Sequence, residues 1–252
     1  MQKSNLGNQP NTRSTVKLHA YLARCGVASR RQAEKLIGQG RVEVNHKIAT
    51  IGLRINPQKD QVWLDQTLIT PSAIQRYFLV DKPKGLISTT QDELGRSTVL
   101  SLLPIAVKKE AGRLYPVGRL DKDSEGLLLL TNDGVLAQKM THPKYEVQKT
   151  YHVQLDRKPS SRALAHLHRG VRLKDGLAMV DACETITEGY TEDQFWYEVT
   201  VHEGRNRLIR RLWERLGYDV LRLIRVSFGQ FQLDQLEGEA WKEVPATDIG
   251  TP

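Results

Sequence analysis

The stretch Gly118-Arg-Leu-Asp-Lys-Asp-Ser-Glu-Gly-Leu-Leu-Leu-Leu130 constrains this chain more than any other. Three carboxylates, Asp121, Asp123 and Glu125, fall within five residues and run directly into four leucines. A run of that kind, bounded by turn residues, reads as a strand buried on both faces. The loop before it therefore hangs its acids at the edge of an apolar core. Buried carboxylates need partners, or their protonation shifts. Loops held on rigid elements are also where reactive groups concentrate. A calcium site, a surface turn and an active site compete for the stretch. Asp121, Asp123, Glu125 and Gly126 fit positions 1, 3, 5 and 6 of a calcium loop, but the bidentate Glu needed at position 12 is replaced by Asn132. Thr131-Asn-Asp-Gly134 then closes the strand with turn chemistry, where a calcium loop needs a helix. A bare acidic turn does not account for the Arg-Leu-Asp in front.

Gly118-Arg119-Leu120-Asp121, followed by Ser124-Glu125-Gly126 with its leucines and Thr131-Asn132-Asp133-Gly134, resembles the signature of one family of RNA-modifying enzymes, the relatives of ribosomal small-subunit pseudouridine synthase A. The resemblance implies that Asp121 is the catalytic aspartate. Lys82-Pro83-x-Gly85 is similar to the family's first motif, with a turn-shaping role. Lys149-x-Tyr151 matches the position whose Tyr stacks on the target uracil, and a flat ring suits a pocket for an extruded base. Glu203-Gly-Arg-x-x-x-x-Arg-Arg211 resembles the third motif and puts the basic partner of the aspartate at Arg210. An aspartate in an apolar pocket drifts toward its neutral form, and a guanidinium beside it lowers its pKa by about 1–3 units. The expected catalytic set is thus Asp121, Tyr151 and Arg210.

The charge distribution points the same way. Residues 14–75 carry nine Lys/Arg against four Asp/Glu, while residues 76–252 carry 26 against 25. A basic front on a near-neutral body fits a polyanionic partner. In that front, Leu18, Tyr21 and Leu22 mark a short helix ended by Gly26. Ser29-Arg-Arg-Gln32 is a capping box for a second helix, with strands following at 41–45, 62–64 and 67–69. Arg24, Arg30, Arg31, Lys35 and Arg41 sit on the helical side. The module resembles the S4 RNA-binding domain, which implies phosphate contacts that position RNA without specifying its sequence. A basic dimerisation module is the competing reading.

The expected organisation is a disordered tail at 1–14, an S4-like domain at 15–70, a linker at 71–76 around Pro71, and a catalytic domain at 77–245. The resemblance implies an α+β fold whose catalytic domain has a mixed, mainly antiparallel sheet with flanking helices. Ser97 is expected to cap a helix over 98–103 ended by Pro104. Residues 177–187 and 194–202 are expected to pair as two long antiparallel strands. In residues 203–217, Leu208, Ile209, Leu212, Trp213 and Leu216 form one helical face, with Arg207, Arg210, Arg211 and Arg215 opposite. Seven arginines and no lysine between Glu203 and Arg225 suit bidentate contact with phosphate or carboxylate. Arg119, Arg207 and Arg211 join the RNA-binding candidates; Arg119 fills the space vacated by the base, grips the flanking phosphate, or bridges within its loop.

No run approaches the roughly eighteen apolar residues of a membrane span. Cys25 and Cys183 stand 158 positions apart and form neither a disulfide framework nor a zinc knuckle. The reading is a cytoplasmic monomer without metal or cofactor, acting on ribosomal RNA. The spelling of the Arg-rich motif is similar to the group of ribosomal large-subunit pseudouridine synthase B, implying 23S rRNA. A 16S target, and a non-catalytic ribosome-binding or assembly protein, are the alternatives.

Overall fold

The computed structural model describes residues 15–71, 74–90, 92, 94–187, 191 and 194–250. The expected tail at 1–14 and residues 72 and 73 of the expected linker lie outside them. The chain divides into two units, Met1–Ile74 and Gln75–Pro252.

The first unit contains β1 (Val16–Lys17), α1 (Leu18–Arg24), α2 (Arg30–Gly38), β2 (Val42–Val44), β3 (Lys47–Ile48), β4 (Arg54–Ile55), β5 (Val62–Leu64) and β6 (Thr67–Ile69). Ser29 and Gln32 form the reciprocal capping bonds expected of them at the start of α2. Leu18, Leu22, Ala33 and Ile37 from the helices pack on Val42 and Val62 of a sheet ordered β3-β2-β5-β6. Two-residue turns close both hairpins. Asn45 and His46, and likewise Asp65 and Gln66, all take positive φ between 46° and 66°, the twist that such short hairpins require. Arg24, Arg30, Arg31, Lys35 and Arg41 are all exposed.

The second unit continues with β7 (Tyr77–Lys82), α3 (Ile105–Ala111), β8 (Tyr115–Pro116), β9 (Glu125–Thr131), α4 (Gly134–Thr141), β10 (Lys149–Leu155), α5 (Ser161–Arg169), β11 (Val171–Leu173), β12 (Gly176–Ala178), β13 (Ala182–Thr185), β14 (Phe195–Val201), α6 (Leu208–Arg215), β15 (Val220–Phe228), β16 (Phe231–Gln232) and β17 (Trp241–Val244). Its main sheet runs β13-β14-β10-β15-β9-β7-β17, with β8 on β9 and β16 on β15. Among the described strand pairings of this sheet only β9 with β15 is parallel, so the sheet is mixed and mainly antiparallel. The leucine run sits in its middle. Leu127 and Leu129 pack with Leu136 and Met140 of α4 on one face. Leu128 and Leu130 pack with Phe78, Val99 and Leu103 on the other. Both faces are covered, which is why four leucines follow one another without alternation.

Gly126 stands where β9 meets β15. Its φ is +96°, and a Cβ added there would lie 2.4 Å from the Arg225 carbonyl oxygen and 2.8 Å from the Arg225 nitrogen. Both obstacles are main chain and cannot swing away. Gly126→Ala is expected to lose about 3 kcal/mol or more, combining overpacking with a disfavoured backbone conformation. A urea midpoint equal to wild type would contradict that close approach.

Two local expectations differ from the structure. Ser97 caps nothing: residues 99–102 form a 3-10 turn after Thr98, and Pro104 opens α3 instead of ending a helix. Proline suits a helix start, where the missing N–H has no partner to lose. The segment 177–187 is not one strand. Leu177 belongs to a hairpin with 171–173, and only Ala182–Thr185 pairs with β14. Near the end of the expected catalytic domain, Trp241–Val244 pairs antiparallel with β7 and extends the sheet.

Candidate active site

The loop between β8 and β9 is pinned at four points, none of them the side chain of Asp121. Ser88 brackets Leu120, its Oγ donating to the Leu120 carbonyl at 2.8 Å and accepting from its N–H at 3.1 Å. The Gly85 N–H donates to the Lys122 carbonyl at 2.8 Å. Arg210 Nη2 donates to the Asp123 carbonyl at 3.0 Å. Lys82 Nζ, wholly buried, donates to the Ser124 carbonyl at 2.6 Å. Lys82 and Gly85 of the Lys-Pro-x-Gly turn thus hold the acidic loop directly.

Burial lowers the Lys82 pKa from 10.5 to about 8, although Asp123, Glu125 and Asp121 pull it back up. Below pH 8 the fold must hold a desolvated ammonium that the unfolded chain hydrates freely; above pH 10.5 neither state is charged. The unfolded state therefore binds more protons in between. Wild type should gain stability relative to Lys82→Met as pH rises from about 8 to 10.5. Urea titrations of both proteins across that interval measure this, and a gap that moves the other way contradicts it.

The other two acids of the loop are engaged by guanidinium groups. Arg207 Nη1 donates to Asp123 at 3.0 and 3.2 Å, and Arg210 Nε stands 3.3 Å from the same carboxylate. Burial pushes the Asp123 carboxyl up, but these two arginines outweigh it and hold it below its usual range. Glu125 accepts from Arg222 at 3.1 and 3.0 Å, and Lys84 lies 3.6 Å away. Burial raises its pKa too, and the cations win there as well. Asp121 is left facing a cavity of about 690 Å³. Its nearest ion-pair partner among the described residues is Arg207, at 3.8 Å.

Arg119, Tyr151 and Arg207 line the same cavity, with Lys149 and Arg225. Five Lys/Arg side chains, those four cations and Arg205, face it against the carboxylates of Asp121, Glu146 and Glu203, a balance that favours an anionic ligand. Tyr151 enters from β10, where it is the register partner of Arg225 on β15. Arg207 precedes α6 with φ +48°, a left-handed conformation that a non-glycine residue holds only where its surroundings impose it.

Residues 76–215 match the family described as RNA pseudouridylate synthase. The chain belongs to that family. Residues 16–68 match the S4 domain. Ribosomal large subunit pseudouridine synthase B of Bacillus subtilis (strain 168) is 38% identical over 235 residues, covering 91% of this synthase and 92% of that protein. The protein of the same description from Haemophilus influenzae is 41% identical over 248 residues, covering 96% and 68%. A solved crystal structure of a pseudouridylate synthase superposes with a TM-score of 0.64 at 28% identity, over 94% of this chain and 99% of that one. The synthase is an isomerase, built as an S4 domain and a pseudouridine synthase domain.

The expected site residues separate in this geometry. Asp121, Tyr151, Arg119 and Arg207 meet at one cavity. Arg210 does not line it; it reaches the Asp123 main chain and side chain and the Val220 carbonyl at 2.8 Å. The guanidinium that faces the Asp121 carboxylate is that of Arg207. Arg211 is tied to Asp175 at 3.0 Å, and Arg41 is paired with Asp65. Arg24, Arg30, Arg31, Lys35 and Arg119 are in no ion pair among the described residues. Ser88 and Arg225 were not singled out from the sequence, and Lys149 only as part of the Tyr151 motif. Arg225 carried a signal: it follows the inward Leu223 by two places on a strand, so the strand period places it inward as well.

Proposed function

We propose that the synthase converts a specific uridine of large-subunit ribosomal RNA to pseudouridine, with Asp121 as the carboxylate that engages the nucleotide. One observation carries this reading. Asp121 is the single acid of its loop turned to the cavity, while Asp123 and Glu125 are engaged by arginines and the loop is anchored without it. Arg207 stands 3.8 Å from its carboxylate, and Arg210 fixes the main chain two residues on. Tyr151 supplies the flat surface for a base swung out of its stack. Arg119, exposed at the cavity, grips the flanking RNA. The exposed Arg24, Arg30, Arg31 and Lys35 of the S4 unit dock the phosphate backbone. The relatives described as large-subunit enzymes support a 23S target.

Pseudouridine mapping of rRNA from cells with and without the gene tests the assignment. One 23S position should lose its modification and regain it on complementation with wild type but not with Asp121→Asn. Unchanged 23S maps would refute the target. Tritium release from RNA labelled at uracil C5 reads the reaction in vitro.

A further inference from the structure

The cavity has a second charged wall that the roles above leave unused. β10 and β15 lie side by side, with Tyr151 opposite Arg225 and Lys149 opposite Phe228. Arg225 is only 2% exposed, Lys149 is half-buried, and both line the cavity. The Phe228 ring sits by both cations, its centre 4.7 Å from Arg225 Cζ and 5.7 Å from Lys149 Nζ. Arg225 Nε donates to the Leu127 carbonyl at 2.8 Å. Lys149 Nζ donates to the carbonyls of Val147 at 2.6 Å and His202 at 3.0 Å. Among the described residues neither cation forms an ion pair, and the buried Arg225 Nη2 has no hydrogen-bond partner. For stability alone this is a poor arrangement. Burial, reinforced by the Arg225 charge, lowers the Lys149 pKa to about 8. Apolar residues in both places would remove the desolvation cost. Negative charge arriving with a ligand accounts for the pair.

We propose that Arg225, supported by Lys149, takes the carbonyl edge of the extruded uracil and holds the negative charge that gathers on the ring when the N1–C1′ bond breaks. This rests on the reading of Tyr151 as the surface beneath the base. Register partners project from one face of a sheet about 5 Å apart, so a ring stacked on Tyr151 turns an edge toward Arg225. When N1–C1′ breaks, its electron pair stays with the ring and spreads onto the carbonyl oxygens. The ring then gives a pair from C5 to C1′, the C5 proton is lost, and N1 gains a proton. The charge exists between the two bond changes, so fixed cations there favour the transition states over bound substrate. The depth of Arg225 favours a flat base edge over a bulky RNA phosphate.

The test compares wild type, Arg225→Gln, Arg225→Lys and Lys149→Met on a 23S transcript carrying C5-tritiated uridine, under single turnover. The same proteins are then run on that transcript made with 5-fluorouridine, whose ring leaves as a more stable anion; with no C5 proton to lose, the ring rejoined through C5 takes up water at C6 instead, and consumption of the 5-fluorouridine is followed by chromatography of nuclease digests. Arg225→Gln should release tritium about 100-fold more slowly. Its RNA affinity should be near wild type, with part of the rate returned in Arg225→Lys. On the fluorinated transcript the Arg225→Gln defect should be several-fold smaller. Equal defects on both transcripts, or a wild-type rate in Arg225→Gln, would overturn the proposal. A loss confined to affinity would assign Arg225 to a phosphate instead and overturn it too. If Arg225→Gln melts early, Lys149→Met, which leaves the Leu127 bond in place, decides on the same substrate pattern. A wild type that converts no uridine sinks the parent reading and this one together, whereas an active wild type with the wrong pattern sinks this one alone.

Discussion

Asp121→Asn should slow tritium release by about 10⁴-fold or more, the scale on which a reacting side chain is missed. Folding and RNA affinity should hardly change. The substitution is isosteric, and the anchors of the loop fall on Leu120, Lys122, Asp123 and Ser124. Among the described residues the one cation within ion-pairing distance of Asp121, at 3.8 Å, already has Asp123 as its closer partner. Single-turnover kinetics, filter binding and a thermal melt on the same preparation separate the possibilities. Retention of a tenth of the wild-type rate would take the reaction away from Asp121.

The second large effect is expected at Arg210, and it differs in kind from that at Arg207. The Arg210 side chain is 12% exposed and donates to two main-chain carbonyls while facing the Asp123 carboxylate. Arg210→Leu leaves those acceptors in a dry interior and should cost about 3–5 kcal/mol, with the rate falling because the loop loses an anchor. Arg207 is 43% exposed. Arg207→Leu should cost about 1 kcal/mol at most, as exposed pairs do, yet should still slow the reaction by removing the charge beside Asp121. Urea melts and single-turnover rates of both variants check the contrast. Equal stability losses in the two would show that neither arginine has the place assigned to it.

Much of this architecture was legible in local chemistry. The capping box at Ser29 and Gln32 and the unbroken leucine run need only nearby residues to act, and both produced the elements expected of them. The meeting of Asp121 and Tyr151 followed from motif resemblance, because the spacing of short motifs is preserved when a cavity is. The pairing of particular charges was not legible. Arg207, Arg210 and Arg211 share one stretch of sequence, yet they reach Asp121 and Asp123, the Asp123 main chain, and Asp175. Which arginine meets which acid depends on the left-handed turn at Arg207 and on where the loop is pinned, neither of which periodicity reports. Alternation misled at 177–187, since a hairpin turning back on itself shows the same pattern as a continuous strand. The acidic C-terminal stretch was unreadable because Trp241–Val244 acquires its role from β7, about 160 positions away.

The parallel contact between β9 and β15 also sets a limit on when the enzyme becomes competent. It joins Glu125 and Gly126 to Ile224 and Arg225, and α6 comes to rest on the loop across a similar span. Such distant contacts form late, because chain closure must be met before they stabilise anything. On the ribosome, a growing polypeptide that has released β9 still lacks the arginines that restrain Asp123 and the strand that walls the pocket. Catalysis is therefore deferred until the region around residue 225 has emerged and docked, and a half-made chain has no means of modifying the RNA of the machine producing it.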